Sequence, residues 1–177
     1  AGRLTADPVY NARIGARCSF GQGCFVASHV VVGDGVKVQN HVSLYEGTVL
    51  EDDVFLGPSC VLTNVTNPRA QVNRRALYEP TRLRRYAVVA AGAVVTRDVP
   101  DYGLVVGVPG RHTGWMSRHG HPLALATPGD VAACPESGLR YALGPDGVRC
   151  LDLDEEAPLP ERLAVGTRAY REVGDDG

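Results

Sequence analysis

Residues 14–67 read IGARCS FGQGCF VASHVV VGDGVK VQNHVS LYEGTV LEDDVF LGPSCV LTNVTN, nine consecutive hexads without a slip. The first position is always apolar: Ile14, Phe20, Val26, Val32, Val38, Leu44, Leu50, Leu56 and Leu62. The fifth, in the first eight, holds Cys18, Cys24, Val30, Val36, Val42, Thr48, Val54 and Cys60, all small or β-branched, while the third and fourth are mostly polar or Gly. An amphipathic helix repeats its apolar positions every 3.6 residues and a strand every 2, so a period of six fits neither alone. It fits short β segments separated by corners, three of which close one triangular coil with the large aliphatic side chains inside. A β-sandwich of evenly spaced hairpins, the competing reading, needs a looser pattern and more turn dipeptides.

The pattern resembles the left-handed parallel β-helix of hexapeptide-repeat proteins, and the hand is implied by that resemblance, because ordinary parallel crossovers take the other one. The expected fold class is therefore all-β, a left-handed parallel β-helix over residues 1–109. The hexads stop after Asn67 and resume at Leu83 as LRRYAV, VAAGAV and VTRDVP. An insertion in a solenoid leaves from one corner, so residues 68–82 are expected to form a projecting loop. Residues 110–121 (GRHTGWMSRHG from Gly110) read as a short helix, and 122–177 as a small appendage with a hairpin turning at Gly144–Gly147 and a tail partly disordered from Glu155. The Cys-Pro at Cys134 is half of a zinc-ribbon pattern that Cys150 alone cannot complete, so no metal is expected.

Charge narrows the partners. The formal net charge of −2 gives no overall basic field for nucleic acid. No apolar run is long enough to span a bilayer, so a soluble cytoplasmic protein without membrane partners is expected. Five cysteines, three of them at core positions of the repeat, suit buried thiols in a reducing compartment better than disulfides.

A bare prism has no deep pocket, so a site must lie in a groove between two prisms or beside a projecting loop. Residues one coil apart stack on the same face, which puts Asn64 over Glu46 and Thr63 over Tyr45, directly before the loop. Here the chain carries a closer resemblance. The stretches VKVQNHVSLYEGTVLEDDVFLGPSCVLTNVTNPRAQVNRR, AGAVVTRDVPDYGLVVGVPGRHTGWMS and CPESGLRY are similar to those of bacterial UDP-2-acetamido-3-amino-2,3-dideoxy-glucuronate N-acetyltransferases. The similarity covers most of residues 11–143. The tract AGAVVTRDVPDYGLVVGVP is common to many sugar acyltransferases, whereas QNHVSLYEG and TNVTNPR are more selective.

The resemblance implies acetyl transfer from acetyl-CoA to the 3-amino group of a UDP-linked amino sugar for surface polysaccharide, in a homotrimer. It implies Asn64 beside the reacting amine, which Asn64 is expected to orient, and Glu46 beneath it is the expected electrostatic neighbour that favours or relays the proton. Gln39, Asn40 and Tyr45 are the expected sugar-nucleotide contacts. Asn67, Arg69 and Arg74 are placed to meet a diphosphate or carboxylate, for which arginine's paired donors suit planar anions. Ala91, Gly92, Arg97, Gly107 and Pro109 match CoA-binding positions, and His41 is a weaker candidate base. His29 and His41 fall on different faces and predict no shared metal site. Against the family, about one coil of roughly eighteen residues is lacking between Arg85 and Tyr86, on the side expected to hold CoA. An acyltransferase acting on another nucleotide-linked amino or hydroxy sugar, or a non-catalytic sugar-nucleotide-binding β-helix, are the alternatives.

Overall fold

A computed structural model describes residues 11–167. Residues 1–10 of the expected prism and 168–177 of the expected tail lie outside them. The hexads form the left-handed parallel β-helix expected from the repeat. Its first coil is β1 (Arg13–Ile14), β2 (Ser19–Phe20) and β3 (Phe25–Val26), and its second is β4 (Val31–Val32), β5 (Lys37–Val38) and β6 (Ser43–Leu44). The third is β7 (Val49–Leu50), β8 (Phe55–Leu56) and β9 (Val61–Leu62), and the fourth is β10 (Arg82–Leu83), β11 (Val88–Val89) and β12 (Val94–Val95). Each coil puts one strand on each face, and every neighbouring pair within a face is parallel. We call the faces first, second and third in chain order.

The core follows from the hexad. First-position residues from Val32 onward and fifth-position residues from Val30 onward are buried, Leu44, Leu56, Leu62 and Leu83 completely. Each fully buried aliphatic side chain of this kind contributes about 1.5–3 kcal/mol relative to exposure. The fourth position turns the corner: Arg17, Gly23, His29, Gly35, His41, Gly47, Asp53, Ser59, Tyr86 and Gly92 all have φ between 56 and 82°. A period of six in left-handed backbone thus underlies the period of six in hydrophobicity.

The third position stacks its polar side chains from coil to coil. Asp34 Oδ1 accepts from Ala16 N at 2.8 Å, Asn40 Oδ1 from Gln22 N at 2.8 Å and Asp52 Oδ1 from Asp34 N at 2.7 Å. These acceptors satisfy corner N–H groups that the strand ladder leaves unpaired. All five cysteines are free thiols. Burial pushes that of Cys60 up to about 12, which removes it from thiolate chemistry near neutral pH.

After β9 the chain leaves the prism and returns at β10 with the ladder intact: Leu83 pairs with Leu50, 33 residues earlier instead of one coil. Residues 66–80 are exposed except Arg74, and a short 3₁₀ turn spans Arg75–Leu77. Between Arg85 and Tyr86 there is no break in the wall, since Tyr86 N donates to Asp52 O at 3.1 Å and β11 stacks directly on β8. The expected lack of a coil at this point leaves no mark on the wall, which keeps its register from β8 to β11.

The expected helix over 110–121 is instead a strand. From β13 (Gly103–Val106), which extends the second face, the chain doubles back as β14 (Arg111–Met116), pairs antiparallel with β13, and continues to β15 (Pro122–Leu123). The last solenoid strand offers an open row of N–H and C=O groups, and a returning strand satisfies it where a helix would not. The appendage is a three-stranded antiparallel sheet, β16 (Val131–Ala133), β17 (Arg140–Gly144) and β18 (Gly147–Cys150). Its hairpin turns at Gly144–Gly147 as expected.

The appendage has its own core, docked on the prism through stacked Tyr86 and Tyr102, with Tyr141 edge-on to Tyr102. The stretch from Glu155, expected to be partly disordered, packs against this core as far as it is described. Glu155 accepts from Tyr102 Oη and from Cys150 N, and Arg118 donates to the carbonyls of Asp154 and Ala157. The apolar residues Leu159 and Leu163 supply the burial that composition alone did not reveal.

Candidate active site

The corner between the third and first faces carries the predicted reacting groups. Ser28, Glu46 and Asn64 occupy its third hexad position in successive coils, and Asn64 Nδ2 donates to the Glu46 carbonyl at 3.3 Å. The backbone of Asn64 is also held, because Glu79 N donates to its carbonyl at 2.9 Å. Asn64 therefore stands where the excursion leaves the prism and where it returns, fixed at both ends.

The Glu46 carboxylate is occupied. Arg75 Nε donates to Oε2 at 3.2 Å, Arg75 Nη2 to Oε1 at 3.3 Å, and His29 Nδ1 lies 3.3 Å from Oε1. With both oxygens engaged, Glu46 is placed as an anchor for the loop and an orienter of His29. Neither Arg75 nor His29 was selected from the sequence as a partner of Glu46. His29 lies one coil below Glu46 and one corner residue further on, so the stacking rule, applied diagonally, reaches it. Arg75 is one of several loop arginines, and only the fold of the loop distinguishes it.

Among the other predicted residues, Tyr45 is exposed beside Glu46, and Asn67 and Arg69 lie on the exposed loop, where Arg69 Nη1 donates to Pro68 O. Arg74 is half-buried and its Nε makes no hydrogen bond among the described residues. Arg97 is exposed at the same corner as Asn64. Gln39, Asn40, Ala91, Gly92, Gly107 and Pro109 belong to the next corner, between the second and third faces. There Gly92 N donates to Pro58 O and Val94 N to Gly107 O. Asn40 Oδ1 is committed to the Gln22 N–H, and His41 sits at that corner too, over Gly23. A single chain thus splits the predicted set between two corners that flank the third face.

A cavity of about 1010 Å³ lies elsewhere, where the appendage meets the prism, lined by Arg17, Lys37, Asp53, Tyr86, Arg118 and Leu159 among others. Burial raises the Asp53 carboxyl above its usual range there, partly offset by Arg118. None of the predicted reacting groups lines it.

Fold and repeat define the class: a hexapeptide-repeat β-helix. Residues 11–46 match the family described as the hexapeptide repeat of succinyl-transferase. The chain is 41% identical over 63 residues to the dTDP-3-amino-3,6-dideoxy-α-D-galactopyranose 3-N-acetyltransferase of Aneurinibacillus thermoaerophilus, a match covering 36% of this chain and 31% of that protein. Among solved structures it is similar to the serine acetyltransferase of Neisseria gonorrhoeae with bound serine (25% identity, TM-score 0.44, 56% of this chain and 39% of that one). It is also similar to a maltose O-acetyltransferase of Clostridium difficile 630 (19% identity, TM-score 0.44, 59% and 70%). The chain spans about a third of the length of the curated relative it matches. Among the described residues no helix is long and apolar enough to cross a membrane.

Proposed function

We propose that this protein is an acetyl-CoA-dependent N-acetyltransferase acting on the 3-amino group of a nucleotide-linked amino sugar, of the UDP-2-acetamido-3-amino-2,3-dideoxy-glucuronate type. It would act in the cytoplasm, in surface polysaccharide synthesis. The observation that carries the reading is the Asn64 amide, held on the Glu46 carbonyl at the foot of a loop latched by Arg75. The partial similarity to a 3-N-acetyltransferase of an amino sugar supports the same position of attack.

In this reading the neutral amine attacks the thioester carbonyl, an N–C bond forms, the C–S bond breaks, and the departing thiolate takes the amine's proton. With Nδ2 engaged, Asn64 Oδ1 is left to accept a substrate N–H and aim the nitrogen lone pair. Alignment of this kind is worth about 7–11 kcal/mol in favourable cases. Arg69, Arg74 and Asn67 on the loop meet the diphosphate or uronate, and Tyr45, Gln39 and Asn40 the sugar nucleotide. Ala91, Gly92, Gly107 and Pro109 line the CoA path with Arg97. These residues occupy two corners, so the complete site forms between copies, one chain's Asn64 corner facing its neighbour's Gly92 corner in a homotrimer.

A thiol-release assay with acetyl-CoA and a panel of UDP- and dTDP-aminosugars tests the reading. Release with a 3-amino sugar is expected; none with any amine, while nucleotide sugar still binds, would sink it. Asn64→Ala should cut kcat by at least about 100-fold with little change in nucleotide-sugar affinity. Equal losses in both would remove its orienting role.

One observation favours a second reading of the proton's path. His29 Nδ1 on Glu46 Oε1 leaves Nε2 as a base, the arrangement by which a carboxylate orients a catalytic imidazole. His29→Gln should then cut kcat by about 10²–10⁴-fold with little change in nucleotide-sugar affinity; an unchanged kcat returns the proton to the thiolate.

A further inference from the structure

Away from the repeat, the structure brings together three groups that the sequence leaves far apart. His119 and His121 lie in the connection between β14 and β15, and Glu136 lies in the turn between β16 and β17. One ligand atom of each falls within 4.8 Å of the others. Glu136 Oε2 is 3.0 Å from His119 Nδ1 and 2.5 Å from His121 Nε2, and the three side chains are only 4–6% exposed. A turn presents both rings: Gly120, at φ 87°, donates its N–H to Ser117 O at 2.9 Å, and the His119 and His121 rings lie nearly parallel with centres 6.3 Å apart.

The tautomer of His119 can be assigned. Its Nε2 lies 2.8 Å from the Leu163 carbonyl, which can only accept, so Nε2 carries a proton. In the neutral ring Nδ1 then carries a lone pair. That atom is buried, makes no hydrogen bond of proper geometry among the described residues, and faces a carboxylate oxygen. His119 Nδ1 then meets Glu136 Oε2 at 3.0 Å lone pair to lone pair, a contact that a bound cation, either a proton or a metal ion, makes favourable. A backbone carbonyl on the far nitrogen is also the usual support of a metal-bound histidine.

We propose that His119 Nδ1, His121 Nε2 and the Glu136 carboxylate bind a divalent transition-metal ion of the zinc class, which staples the appendage to the connection between β14 and β15. Two imidazoles and a carboxylate are a zinc donor set, and donors about 2.0–2.1 Å from a tetrahedral ion stand roughly 3.3 Å apart, inside the range from 2.5 Å to 4.8 Å that these atoms span, so the two contacts to Glu136 open slightly when the ion enters. Near-complete burial suits a structural site, and the strand, the turn and the carbonyl at Leu163 become one cross-linked unit. The site does not depend on the acyl-transfer reading.

The test uses the full chain, stripped with chelator and titrated with Zn²⁺ and, separately, with Co²⁺ as a spectroscopic probe. One ion per chain by elemental analysis, a visible Co²⁺ band of low-coordinate type and a higher unfolding midpoint with Zn²⁺ are expected. His119→Ala and Glu136→Gln should each weaken binding beyond the 10–100-fold typical of outer partners. His112→Ala, whose ring packs on Trp115, should leave binding unchanged. Less than about a tenth of an ion per chain in excess Zn²⁺, or equal binding by the variants, overturns the proposal. If a variant does not fold, the wild-type stoichiometry and Co²⁺ spectrum decide: a chain that binds neither ion is a proton-bridged cluster and not a metal site.

Discussion

At the residue scale, the hexad is a set of steric rules more than a list of apolar positions. The second position shows it best. A Cβ on Gly33 would stand 2.4 Å from Asp52 Oδ1 and 2.8 Å from Asp52 N, the side chain and backbone of the next coil. The glycine exists because the carboxylate above folds inward to accept the Asp34 N–H. Gly33→Ala should therefore cost about 1–3 kcal/mol in chemical denaturation, within the usual range for overpacking. Gly114→Ala, where nothing lies within 4 Å, should change stability by less than about 0.5 kcal/mol. Equal effects would refute the stacking account.

At the scale of elements, the hexads and their corners were legible because one coil repeats the same physical problem three times. Asn64 over Glu46 was legible for the same reason. The strand β14 was not: its pairing is dictated by the open edge of β13, a tertiary demand absent from the local pattern of RHTGWM. The Arg75 latch and the packed stretch after Glu155 were hidden likewise, since one arginine in a loop, or one leucine in an acidic tail, looks like any other until its partner is placed. In the hairpin of β17 and β18, Arg140 grips Asp152 through Nε at 3.1 Å and Nη2 at 2.6 Å. Those hydrogen bonds hold the Asp152 carboxyl below the usual carboxylate range. A depressed folded-state pKa means the contribution is present above the unfolded value near 4 and is lost as pH falls through the lower folded one. Asp152→Asn should thus destabilise the chain at pH 7, and the gap from wild type should close below about pH 4 in denaturation midpoints. A gap constant across that window would contradict the ion pair.

At the scale of the molecule, two cores meet at one aromatic joint. Tyr86 and Tyr102 belong to corners of the prism, with φ of 60 and 62°, yet their rings belong to the appendage core. Arg118 lies 4.6 Å from the centre of the Tyr86 ring and adds a cation over its face. The single tryptophan, Trp115, packs against this second core and reports on it selectively. Tyr102→Ala should destabilise this core by about 3–5 kcal/mol, so that Trp115 emission changes at a lower denaturant concentration than in the wild type, well before the β signal of the prism is lost. Coincident transitions for both probes would mean the two cores unfold as one.

The unbroken stacking across Arg85 and Tyr86 makes the prism a gauge block. Its length changes only in whole steps of about 4.8 Å, each an entire coil, while the excursion between β9 and β10 is free to take any number of residues. Height and decoration are thus separate variables. Splicing one full coil between Arg85 and Tyr86 would raise everything beyond it, appendage included, by one increment, and the Asn64 corner below would be untouched.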